Sequence, residues 1–79
     1  MKKITLVQMK TGAKGRIVQL EGGPAFESRL SAMGVRIDKH IVKLSAFVLQ
    51  GPVAIRSGNT VLALGYGMAS KIWVELIKK

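Results

Sequence analysis

Apolar residues fall in short runs along this chain, and glycine or proline separates most of them. Arg16-Ile17-Val18-Gln19-Leu20 reads as a strand, with Ile17 and Gln19 on one side and Val18 and Leu20 on the other. Glu21-Gly22-Gly23-Pro24 breaks it, and Pro24 suits the first position of a helix, where its missing N–H costs nothing. Phe26, Leu30 and Met33 then recur at helical spacing and line one face. Glu27 falls in the first turn and Arg29 further on, a favourable order against the helix dipole. Gly34 is placed as the left-handed cap. A helix of about ten residues with so narrow a stripe does not stand alone. It must pack on a sheet through Phe26, Leu30 and Met33.

The second half reads as strands. Ile41 to Leu49 is the longest candidate. Val42, Leu44, Ala46 and Val48 form an unbroken apolar set and are expected to face the core. Lys43 and Ser45 then share the other face with Ile41 and Phe47. Gln50-Gly51-Pro52 turns the chain, and Val53 and Ile55 alternate with Ala54 and Arg56. Ser57-Gly58-Asn59 makes a tight hairpin, and Thr60-Val61-Leu62-Ala63-Leu64 returns. Gly65 to Ser70 has room for one helical turn. Ile72, Val74 and Leu76 alternate with Trp73, Glu75 and Ile77 in a closing strand. Leu6 to Lys14 is a lead-in ending in a turn at Gly12-Ala13-Lys14-Gly15. The expectation is a mainly β fold: a small SH3-like barrel of about five strands with one inserted helix and a short helical turn. Closing such a sheet removes exposed strand edges.

Length allows one domain, over residues 1–79. A single core is marginal at about 70–80 residues without a staple, and with no cysteine there is neither a disulfide nor a thiolate metal site. Met1-Lys2-Lys3-Ile4-Thr5-Leu6-Val7 mimics the start of a signal peptide, but Gln8 and Lys10 end the apolar run at once. The chain therefore reads as soluble, cytoplasmic and complete. Thirteen Lys/Arg against four Asp/Glu give +9. That charge attracts nucleic acid, an anionic membrane face or an acidic partner. The cations are scattered, at Lys10, Lys14, Arg16, Arg29, Arg36, Lys39, Lys43, Arg56 and Lys71 among others.

Catalytic and metal-binding patterns are missing. The chain has one histidine, His40, and the carboxylates Glu21, Glu27, Asp38 and Glu75. Asp38 and His40 sit two apart, but two ligands do not make a metal site, and the pair reads as a solvated strand start. The serines have no G-x-S-x-G elbow, and no two carboxylates are paired for acid–base work. Gly22-Gly23-Pro24 and Gly65-Tyr66-Gly67 match neither phosphate-binding glycine motif, although a helix start at Gly23-Pro24 can attract an anion. The chain reads as a binding module, not an enzyme, and no cofactor is expected.

Two stretches carry a family resemblance: Arg29-Leu30-Ser31-Ala32-Met33-Gly34-Val35, and Gly51-Pro52 to Val74. With the Gly12, Gly15, Ile17 segment, they follow one another in the order seen in the FeoA family, which this chain resembles over nearly its whole length. The matching residues are mostly glycines and core aliphatics, so they speak first to fold. Two positions depart from the family pattern. Asp38-Lys39 stand where the family often has proline or glycine. Gly65 stands where it often has arginine. The resemblance implies a non-catalytic accessory protein of bacterial ferrous iron uptake. Its partner would be the cytosolic side of a FeoB-like permease with a GTPase domain, close to an anionic membrane face. The contact residues expected on that reading are Arg29, Arg36 and Tyr66. The competing reading, from charge and barrel size, is a nucleic-acid-binding module. Its stacking residues would come from Phe26, Phe47, Tyr66 and Trp73.

Overall fold

The computed structural model describes residues 2–46 and 51–77. Six strands and two helices follow one another along the chain. They are β1 (Lys3–Thr5), β2 (Lys14–Leu20), α1 (Gly23–Ala32), β3 (His40–Ala46), β4 (Val53–Ser57), β5 (Thr60–Leu64), α2 (Tyr66–Ala69) and β6 (Ile72–Leu76). The strands form one sheet in the order β1-β6-β2-β3-β4-β5, and all the pairings are antiparallel. β1 and β5 are its edges among the described residues. β1 is an addition to the expected set. At three residues it is too short to show a period, and β6 recruits it by pairing Ile4 with Val74.

The inner side of the sheet closes on Leu6, Ile17, Leu30, Val35, Ile41, Ile55, Leu64, Ile72 and Val74, all fully buried. Helix α1 reaches this core through Leu30, with Phe26 and Met33 partly buried against it, as the spacing predicts. Its end is fixed by local chemistry. The Gly34 N–H donates to the Ser31 carbonyl and the Val35 N–H to the Leu30 carbonyl, both at 2.9 Å. Gly34 has φ +89°. This is the paired bonding of a Schellman cap, with Leu30 and Val35 as its apolar contact. The helix start differs slightly from expectation. Gly23 already belongs to α1, so Glu27 lies beyond the first turn, where the dipole is weaker.

The Gly58-Asn59 hairpin forms as expected, with Ser57 opposite Thr60. Gly58 takes φ +62°, the positive value that type II′ turns require at their first central position.

Two facing assignments are corrected. In β3 the core residue is Ile41, and with it goes Lys43, 4% exposed, while Val42 and Leu44 stay half-buried on the other side. The Lys43 stem packs inward, and its ammonium donates to the carbonyls of Val7 at 3.1 Å and Met9 at 2.7 Å. Those bonds hold the strand one residue out of the register that the apolar set Val42, Leu44, Ala46 and Val48 suggested. A one-residue slip exchanges every side chain between faces. Phe47 and Val48 lie outside the described residues. In β2 the pairing shifts between Ile17 and Gln19. This bulge sets Ile17 opposite Val74 and Leu20 opposite Ile72, both on the core side, and Gln19 opposite Trp73 outside.

Candidate interaction surface

The outward positions of β1, β6, β2 and β3 form a row: Lys3, Glu75, Arg16 and His40 face one another across successive pairings. Arg16 is its centre. Its Nη1 donates to Asp38 Oδ1 at 2.5 Å and its Nη2 to Glu75 Oε1 at 3.0 Å. These are the ion pairs among the described residues. The hydrogen bond to Asp38, and next the one to Glu75, raise the Arg16 pKa above its already high value. The guanidinium is a permanent charge.

Asp38 is thereby accounted for. It does not share a strand face with His40, because β3 begins at His40 and Asp38 sits in the preceding turn. There it adopts φ +74° and donates its N–H to the Ile17 carbonyl at 2.7 Å. Aspartate tolerates this left-handed conformation better than most residues. Among the described residues no group of three or more His, Cys, Asp or Glu converges to hold a metal.

The aromatic residues are mostly engaged. Trp73 Nε1 donates to Glu21 Oε1 at 2.8 Å, and the Lys3 ammonium lies 5.3 Å from the Trp73 ring centre. Lys3 also hydrogen-bonds Gln19. The Lys71 ammonium lies 5.9 Å from the Phe26 ring. Tyr66, at the start of α2, is exposed.

The three expected contact residues stand on α1, on the segment after it and on α2. Arg29 is exposed in the last turn of α1 and takes part in no ion pair among the described residues. Arg36 follows the helix cap. With Ile37, Leu20, Pro24, Glu27, Ser28 and Ser31 it lines a cleft of about 380 Å³. Ile37 is 47% exposed, which gives this cleft an apolar wall. Neither Arg29 nor Tyr66 lines it. A second cleft, of about 400 Å³, lies across β2, β3 and β4 and is lined by Lys14, His40, Ile41, Val42, Arg56, Gly58 and Ile77. Sequence reading missed it, because its cations are far apart along the chain and meet only through strand pairing.

The FeoA domain family matches residues 4–76. The chain belongs to the FeoA family. No curated protein matches it. Among solved structures it is similar to an iron uptake regulatory protein (FeoA), with 28% identity and a TM-score of 0.86, over 98% of this chain and 100% of that one. It is also similar to iron(II) transport protein A from Clostridium thermocellum, with 26% identity and a TM-score of 0.85, over 94% of this chain and 46% of that one. A manganese-dependent transcriptional repressor in complex with manganese shares the fold alone, at 18% identity and a TM-score of 0.87. There the match covers 98% of this chain and 38% of the repressor. The six-stranded sheet with two short helices is therefore the SH3-like fold expected from the sequence. Membership of the FeoA family implies a role in ferrous iron transport. No helix among the described residues of this FeoA-family chain is long and apolar enough to cross a membrane.

Proposed function

We propose that this chain is a non-catalytic adaptor of ferrous iron uptake. It docks on the cytosolic side, or on the GTPase domain, of a FeoB-like iron permease and modulates transport or nucleotide turnover. The observation that carries this reading is the family match over residues 4–76, joined to the full-length likeness to an iron uptake regulatory protein. The charge of +9 supports it physically. A basic residue near an anionic leaflet contributes about 1 kcal/mol, screened beyond about 8 Å. The protein then works in the cytoplasm, peripheral to the inner face of the membrane. Its contact surface is the exposed side of α1 with Arg29, Arg36 beside it, and Tyr66.

The test is a pull-down of tagged protein from detergent-solubilised host membranes, after nuclease treatment and at near-physiological salt. Recovery of a multi-span protein with a GTPase domain is expected. Nucleic acid alone, recovered when nuclease is omitted, would favour the nucleic-acid reading instead. Charge reversal at Arg29 and at Arg36 should weaken both recovery and iron uptake. Unchanged uptake from folded variants would remove those residues from the contact surface.

A further inference from the structure

Strand pairing brings a second row together on the outer face. Lys14 on β2 stands beside Val42 on β3, and Val42 beside Arg56 on β4. Such neighbours share a face, with Cβ atoms about 5 Å apart. Ile77, whose N–H donates to the Lys14 carbonyl at 2.9 Å, joins the row at its end. His40, two positions before Val42, lines the same cleft of about 400 Å³. Val42 is half-buried and Ile77 is 36% exposed, so the floor is apolar, and cations stand on both sides of Val42.

No acidic side chain lines this cleft. Asp38 and Glu75 face Arg16, Glu21 accepts from Trp73, and Glu27 lines the cleft beside α1. Among the described residues no carboxylate offsets the positive charge here.

We infer that this cleft is the docking site for an acidic peptide segment of a partner protein, one in which carboxylates flank an apolar side chain. Lys14 and Arg56 stand two strand spacings apart, about 10 Å. Carboxylates four positions apart in an extended segment share a face with the residue midway between them and span about 13 Å, within reach of side chains as long as those of Lys14 and Arg56. The middle residue meets Val42, and Ile77 extends the apolar contact beyond Lys14. Nucleic acid fits less well, because among the described residues no Phe, Tyr or Trp lines the cleft, and the His40 ring is the one flat surface for a base. An enclosed small ligand also fits less well. The buried polar residues Thr5 and Lys43 both lie elsewhere, so nothing desolvated is aimed at such a ligand. The inference concerns the chemistry of the docked segment, and it holds whether or not the partner is a permease.

The test uses the full chain, labelled with ¹⁵N, and the blocked peptide Ser-Glu-Glu-Leu-Glu-Glu-Ser. A glutamine-for-glutamate version is the control. Amide shifts are expected at Lys14, Val42, Arg56 and Ile77 with the acidic peptide, and none with the glutamine peptide. Lys14→Glu and Arg56→Glu should each weaken binding about tenfold. Ile77→Ser should weaken it with no change of charge, and circular dichroism checks that each variant is folded. Lys39→Glu, outside the cleft, should leave the affinity nearly unchanged. Equal losses for Lys39→Glu and the cleft variants would reduce the effect to the overall field of the protein and overturn the proposal. So would shifts confined to other residues, or a single-stranded oligonucleotide that binds the same residues more tightly than the peptide.

Discussion

The two faces of β2, β3 and β4 treat positive charge in opposite ways. The inner face carries one cation, Lys43, and two backbone carbonyls hold it. The outer face carries Arg16, also held, but beside it stand Lys14 and Arg56 with no carboxylate in their cleft. The difference teaches where each kind of residue acts. Inside, a charge persists because it ties segments together. Outside, the Lys14 and Arg56 side chains make no hydrogen bond or ion pair among the described residues, so they are available to another molecule.

The comparison predicts that inner-face changes cost stability and that Lys14 and Arg56 changes cost binding. The largest effect belongs to Leu30→Ala, which empties the only fully buried position of α1. We expect a loss of about 2–5 kcal/mol in urea unfolding. A loss near zero would mean that the helix is not seated on the core.

Lys43→Met comes next. It leaves the Val7 and Met9 carbonyls without their donor, at a cost of about 1–3 kcal/mol. It also tests a pH dependence. Desolvation lowers the Lys43 pKa in the folded protein from the ordinary value of 10.5. In the window between the lowered folded pKa and 10.5, the unfolded chain binds more protons, so this group makes stability rise with pH and level off above 10.5. Subtracting the Lys43→Met curve from that of the parent protein should isolate this rise. A difference that falls with pH would contradict the burial described for Lys43.

Gly15→Ala should cost about 1 kcal/mol. A Cβ there would stand 3.2 Å from the Val74 side chain and the Glu75 carbonyl, closer than packed carbons normally sit. A melting temperature equal to that of the parent would show that β2 and β6 give way at that point. The smallest changes belong to the outer face. Arg56→Ala and Lys14→Ala should leave stability within about 0.5 kcal/mol of the parent. Arg16→Ala should lower it only slightly, since exposed ion pairs contribute little. A large loss at Arg56 would break the comparison, because that residue would then be structural.

Much of the fold was legible because its decisive signals are local. The cap at Gly34 involves only Leu30 to Val35, and the hairpin at Gly58-Asn59 only its flanking residues. The facing of β3 was not legible. Its one unbroken apolar set runs through Val42, yet Ile41 and Lys43 face inward, held there by bonds from Lys43 to Val7 and Met9, far back along the chain. The bulge in β2 likewise depends on the partner strand β6. For the site, Lys14 and Arg56 are visible in the sequence only as scattered cations. That they share one row with Val42 is a property of register, which residue types do not encode on their own.

The last strand is also the most central to assembly: β6 lies between β1 and β2, pairing Val74 with both Ile4 and Ile17. β1 therefore has no strand partner until β6 has been made. Closing so long a loop before any contact rewards it slows folding. On the ribosome, β1 should wait unpaired, and β2 paired with β3 along one edge only, until residues 72–76 have cleared the exit tunnel. Stalled nascent chains should accordingly pass from protease-sensitive to protease-resistant in one late step; resistance gained before β6 emerges would show that the first half folds by itself.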